Sequence, residues 1–237
     1  MLNLPSRTLF VTLALLALVG LPTAGQAATE TRALAEFQGI DLSGSMDLKG
    51  RQGTPQSVQV EADDKLLPLL ETVVDGSGAD ARLKVRWKRG QSVHTRAKVV
   101  VTVVVPKLHA VALAGSGDLQ LDALDTPALK LSISGAGDAR FKELSTEDLV
   151  LSMSGSGDVA GQGKARRLKI SIAGSGDVRL AELLSDEVRV SIAGSGDAAV
   201  NAQKTLEVSI AGSGDVTYVG TPSVKSSVAG SGSVTKR

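Results

Sequence analysis

Apolar residues in the second half of the chain fall on alternate positions, in short bursts that end at glycine. Leu168, Ile170 and Ile172 are separated by Lys169, Ser171 and Ala173. The same places are taken by Val188, Val190 and Ile192, and by Leu206, Val208 and Ile210. Alternation with a period of two puts one set of side chains on a buried face and the other in solvent, which predicts a strand. Each burst runs into Gly-Ser-Gly-Asp or a near copy. A second, shorter alternation follows: Val178 and Leu180 flank Arg179, and Leu119 with Leu121, or Val216 with Tyr218, hold those places elsewhere. The expected element is strand, corner, strand. Glycine reaches backbone angles closed to other residues and aspartate hydrogen-bonds to nearby backbone, so the four-residue phrase suits a corner.

The unit "LKISIAGSGDVRL", Leu168–Leu180, matches 109–121, 129–141, 149–161, 188–200, 206–218 and 224–236 without a gap. Its first glycine recurs as Gly115, Gly135, Gly155, Gly174, Gly194, Gly212 and Gly230, at spacings of 20, 20, 19, 20, 18 and 18. All the variation falls in the connecting pieces "DALDTPA", "KELSTED", "QGKARR", "AELLSDE", "NAQKT" and "VGTPS". A rigid unit joined by adjustable loops is the expectation. A meander would reverse every second strand and would not return identical residues to identical places. A parallel solenoid does so, each coil lying on the last. The sequence therefore predicts an all-β solenoid with coils of 18–20 residues over 109–237, about 34 Å long at a strand spacing of about 4.8 Å. Ile170, Ile172, Val190, Ile192, Val208 and Ile210 are expected inside, and Lys169, Arg189 and Glu207 outside.

Residues 28–108 are less regular. "FQGIDLSGSMDLKG" echoes the unit around Gly44, and "QSVQVEAD" and "ARLKVRWKRG" read as half-buried strands. "DKLLPLLETVVDGSG" has room for a short helical turn limited by Pro68. "KVVVTVVVP" is a β-branched run suited to a strand buried on both faces. These residues are expected to form imperfect coils or an abutting β layer that caps the solenoid. At the other end, Lys236 and Arg237 close the faded last unit, where basic residues discourage strand addition.

Composition narrows the picture. Arg7, the apolar run Leu9–Leu21 and the small residues of "PTAGQAA" read as a secretory signal peptide over 1–27, cut after Ala27. The run is about 13 residues, whereas a spanning helix needs about 20, so no membrane span is expected after cleavage. Lysine and arginine total 26 against 25 acidic residues, and loss of Arg7 leaves the exported chain near neutral. That balance argues against nucleic acid as a partner. The chain has no cysteine, so stability must come from burial and backbone hydrogen bonding. With 2% aromatic residues the core is aliphatic.

The signal peptide, the β-rich first half, the junction "VTVVVPKLHAVALAGSGD" and the serial "GSGD" coils together resemble the auto-transporter adhesin, head GIN domain family of bacteria. The resemblance covers about residues 34–233. It implies a right-handed parallel β-helix, an exported protein and a role in adhesion, and it supplies no catalytic residues. The sequence given has no region long enough for a membrane-spanning barrel, so a self-sufficient autotransporter is not expected.

Asp118, Asp138, Asp158, Asp177, Asp197 and Asp215 would form a column in a solenoid, neighbours about 5 Å apart repelling by about 1 kcal/mol even in water. One reading has calcium offset this, as in other glycine-aspartate rolls. The favoured reading has each carboxylate accept hydrogen bonds from glycine and serine amides of its own turn. His94 and His109 are the two imidazoles. His109 opens a unit where Leu or Val otherwise stands, a core-edge place. Trp87 among Lys84, Arg86, Lys88 and Arg89 reads either as a basic-aromatic contact patch or, preferably, as a strand with a solvated basic face and an inward Trp. No nucleophile with a partner base is recognisable, and no cofactor is expected. The expected function is a non-catalytic, exported β-solenoid in the periplasm, at the cell surface or secreted, whose long surface meets a protein or glycan at the cell envelope. A polysaccharide-active β-helical enzyme and a calcium-dependent structural module are the alternatives.

Overall fold

The computed structural model describes residues 27–90 and 98–237. The expected signal peptide lies outside these residues except for Ala27, and so does His94. Among the described residues, sixteen strands form one continuous sheet, wound into coils.

Five long strands make the regular stack: β9 (Leu119–Gly135), β10 (Ala139–Gly155), β11 (Val159–Gly174), β12 (Val178–Gly194) and β13 (Ala198–Gly212). They pair in parallel, like on like, so that Ile133, Met153, Ile172, Ile192 and Ile210 form one column. The six predicted core residues are all buried. Lys169 and Arg189 are exposed as expected, but Glu207 is half-buried, because the Arg189 guanidinium lies against its carboxylate.

The first five connecting pieces are not loops. Each lies within a long strand and carries an inward residue: Leu124, Leu144, Ala165, Leu183 and Ala202 are buried. The sixth, "VGTPS", does connect two strands, β14 ending at Val219 and β15 beginning at Ser223. Along β9 the inward positions are Leu119 and Leu121, then Leu124 and Thr126, then Leu129, Leu131 and Ile133, and the pairs Asp122-Ala123 and Pro127-Ala128 both face out. Two successive outward residues break a period of two and turn the strand through a bend. Each coil thus has three walls, closed by the glycine corner. Coil-length differences are absorbed as register shifts between Phe141 and Leu144, between Ala160 and Gln162, and between Leu180 and Glu187.

The first half supplies both expected features, further coils and an abutting layer. β2 (Gly39–Gly44) and β3 (Asp47–Gln52) form a coil with Gly44 in register with Gly115 of β8 (Ala110–Gly115). Beneath it lie β6 (Arg82–Trp87) and β7 (Val100–Val105), parallel to β2 and β3 but later in the chain. The antiparallel strands β4 (Ser57–Asp63), β1 (Ala27–Arg32) and β5 (Leu70–Asp75) close that end. The predicted helical turn is a single 3-10 turn, Leu67–Leu69. In β7, Val101, Val103 and Val105 are buried on one face and Val104 on the other.

From β7 the chain must climb past a whole layer to reach β8, and the junction "PKLH" does this. The His109 N–H donates to the Gln38 carbonyl (3.0 Å), and its own carbonyl accepts from Lys130 (2.8 Å). Gln52 clamps the climb, donating to the carbonyls of Pro106 and Asp125 and accepting from the Asp125 N–H. At the far end stand β14 (Val216–Val219), β15 (Ser223–Gly230) and β16 (Val234–Lys236). β15 is exposed along its whole length, because among the described residues no layer covers it.

Candidate functional site

The repeated corner is built from backbone. The first glycine of each phrase has a positive φ, +141° at Gly174 and +139° at Gly194. A Cβ on Gly194 would also stand 2.2 Å from the Gly174 carbonyl oxygen. The second glycine has no left-handed φ, yet it is equally required, since a Cβ on Gly196 would lie 2.2 Å from the Gly176 oxygen. Glycine therefore serves two ends, an angle at the first place and close stacking of corners at both. Met46 replaces the second glycine in the first corner. Its side chain is buried.

The aspartates do form a column, but their hydrogen bonds differ from the expectation. Each Oδ1 accepts the backbone N–H of the next coil's aspartate, not amides of its own turn. Asp138 donates to Asp118 (3.1 Å), Asp158 to Asp138 (3.0 Å), Asp177 to Asp158 (3.0 Å), Asp197 to Asp177 (3.1 Å) and Asp215 to Asp197 (2.8 Å). Stacking places the next coil's N–H within hydrogen-bond distance of each Oδ1. The column also has a rung the repeat hides: Asp118 donates to Asp47 (3.1 Å), in a corner spelled "GSMD". Ser233 ends it, donating both N–H and hydroxyl to Asp215 Oδ1.

Arginines on the wall after the corner hold the second oxygen of Asp138, Asp158 and Asp177. Arg179 spans two rungs, bonding Asp158 Oδ2 (2.8 Å) and Asp177 Oδ2 (3.0 Å), and Arg140 meets Asp138 Oδ2 at 3.2 Å. The backbone N–H of Asp177, with Arg179 beside it, pulls the Asp158 carboxyl below the ordinary carboxylate range. Sequence reading missed these arginines, whose signal was a basic residue two places after an aspartate. Among the described residues, no three His, Cys, Asp or Glu side chains converge at metal-ligating distance.

The basic segment around Trp87 is largely neutralised. Arg82 pairs with Asp41, Lys84 with Asp75, and Arg86 with Glu71 (2.8 Å), leaving Lys88 and Arg89 exposed. Hydrogen bonds from Arg86 and Lys84 hold the carboxyls of Glu71 and Asp75 below their usual range. Trp87 packs against the core, its indole lying over Gly44. His109 is half-buried in the junction ladder, at the core edge.

The outer walls run unbroken along the stack. The wall before the corner carries Ser132, Ser152, Ser171 and Ser191 in one row. Beside it are two charged rows, one in which Arg189 meets Glu207 (2.6 Å) and one in which Arg167 meets Asp148. The Arg189 and Arg167 hydrogen bonds hold Glu207 and Asp148 below the ordinary carboxylate range.

Stacked coils, a backbone-built corner and flat outer walls define a β-solenoid scaffold with a less regular N-terminal sheet part. Residues 36–222 match the family described as "Putative auto-transporter adhesin, head GIN domain", and the chain belongs to that family. A crystal structure of a "putative adhesin" from Bacteroides fragilis NCTC 9343 is similar at a TM-score of 0.82 and 23% identity, over 90% of this chain and 98% of that one. A "putative adhesin" from Parabacteroides distasonis ATCC 8503 follows at 0.71 and 22%, over 90% and 98% of the two chains. A "putative lipid binding protein" from the same strain is similar at 0.67 and 23%, over 90% and 97%. At these identities the likeness shows a shared fold. No curated protein matches the chain. Among the described residues no helix is long and apolar enough to cross a membrane.

Proposed function

We propose that this chain is an exported, non-catalytic scaffold whose outer walls are an adhesin-like contact surface for a protein or glycan at the cell envelope. The observation that carries this is the folding of the connecting pieces into the coil wall. From Leu119 to Gly212 they lie within the strands, so they form a face and not the rim of a cleft. A substrate cleft needs walls that enclose most of the ligand. A contact surface needs rows of side chains held at fixed spacing, which parallel stacking supplies at about 4.8 Å per coil. The family's adhesin description and the related folds point the same way.

The aspartate column is read as structural, each carboxylate tying one coil to the next. The test of function is a screen of the purified chain against acidic and neutral glycans, together with capture from envelope extracts. Binding without turnover is expected, and capture should fall in Ser171→Arg/Ser191→Arg, which roughens the flat row without touching the core. Sustained glycan turnover would make the protein an enzyme and sink the proposal.

A further inference from the structure

We propose that the solenoid adds to a second copy of itself head to tail, β15 of one chain pairing antiparallel with β5 of the next. Among the described strands, β15 pairs with β13 alone and β5 with β6 alone, so both present a free edge on the same wall. Among the described residues the exposed large apolar side chains are Val73, Leu184, Val224 and Val228. Three of these four sit on the two free edges.

The strand directions fit. β15 runs parallel to β6 through an unbroken series of parallel pairings, and β5 runs antiparallel to β6. A second copy placed on the stack with the same axial sense therefore meets β15 with an antiparallel β5. The side chains fit as well. Val224, Ser226 and Val228 continue the inward columns of Leu206, Val208 and Ile210. Leu70, Thr72 and Val74 face inward opposite Trp87, Val85 and Leu83. Pairing 224 with 74, 226 with 72 and 228 with 70 sets Val on Val, Ser on Thr and Val on Leu. The interior would then pass from one copy into the next.

The same register decides the charges. It places outward-facing Lys225 opposite Val73 and diagonal to Glu71 on one side and Asp75 on the other, within reach of both. Pairing β15 with another β15 would instead gather two copies of Lys225, Lys236 and Arg237 at one seam, which like-charge repulsion opposes. The other wall does not contribute. Glu30 and Arg32 stand on β1 opposite Val60 and Val58, and inward charges on an edge strand guard it against addition. The contact rests on one strand pair, so it is weak and concentration-dependent. It is also heterologous, and copies stacked along the coil axis with one axial sense form an open series, not a closed ring.

The natural absence of cysteine allows a clean test. Directly opposed antiparallel residues have Cα atoms about 4.5–5.5 Å apart, within disulfide reach. Val73→Cys and Lys225→Cys chains are mixed at high concentration under mild oxidation, with Val73→Cys plus Lys164→Cys as the control pair. The expected result is a mixed dimer at least about tenfold more abundant than in the control, because pairing raises the effective thiol concentration. The double variant Val73→Cys/Lys225→Cys should give a ladder of higher oligomers, and adding Lys225→Glu to the wild type should reduce concentration-dependent sedimentation. Cross-linking at the control level, or Lys225→Cys homodimers exceeding the mixed dimer, would overturn the proposal. Capture of either edge by a different chain, without mixed dimers, would overturn it too.

Discussion

At the residue scale, glycine and aspartate do different work in the same corner. Gly194 needs both its positive φ and the room that a Cβ would take from the Gly174 carbonyl. Gly194→Val is expected to cost about 3 kcal/mol or more, since strain and overpacking add. Ser195→Ala, at an exposed position, should leave the thermal midpoint nearly unmoved, and comparing the two melts checks both. Asp197 accepts the Asp215 N–H. Asp197→Asn keeps an acceptor and should be mild, whereas Asp197→Ala strands that N–H and should cost about 1 kcal/mol. A calcium-dependent rise in melting temperature that shrinks in Asp197→Asn would show a calcium column instead. Asp158 carries the pH dependence. Its folded carboxyl titrates below the ordinary range, through the Asp177 N–H and Arg179. Its stabilising contribution is therefore complete above about pH 4, the unfolded carboxyl's range, and drains away as the pH falls toward the lowered folded value. Urea melts between neutral and acid pH should show a shallower acid loss in Asp158→Asn than in the wild type.

At the scale of the element, the long strands carry the lesson. Read from the sequence as connectors, "AELLSDE" and its counterparts are expected to be adjustable loops. In the fold they are the third wall, with Leu183 fully buried. Leu183→Ala is expected to cost about 2–5 kcal/mol, as much as truncating Ile192, whereas truncating exposed Leu184 should cost little. Matched chemical-denaturation curves for Leu183→Ala and Leu184→Ala check this, and equal midpoints would return the piece to a loop. Packing between coils is also traded in volume. Gly161 takes the place that Phe141 holds in the coil below, and the Phe141 ring occupies the room its side chain would need.

At the scale of the whole molecule, the two ends of the stack differ. The N-terminal end is closed by antiparallel strands, and β1 carries inward charges. The other end leaves β15 paired on one side and exposed along its length. Stability in a stack is a sum of layers and their interfaces, so the layer with one neighbour should open first. Amide hydrogen exchange is expected to be fastest in β15 and β16, slower in β13, and slowest in β10 and β11. Uniform protection from β10 to β15 would contradict it.

What the sequence determined by itself is what repeats. Period-two alternation, a 13-residue unit of constant length and a glycine corner at 18–20-residue spacing admit parallel coils and little else, because a parallel stack returns like residues to like places. The inward columns, the corner and the family were legible for that reason. What did not repeat had to wait for the tertiary structure. The third wall was hidden because the one or two buried residues of a connecting piece, such as Leu144, Ala202 or the pair Leu124 and Thr126, are too few to show a period. The out-of-order layer of β6 and β7 rests on contacts between residues far apart in the chain, which no local pattern records. The aspartate ladder, with Asp47 as its first rung, is a contact between coils. The sequence shows each carboxylate beside its own turn, and only stacking brings the next coil's N–H into reach.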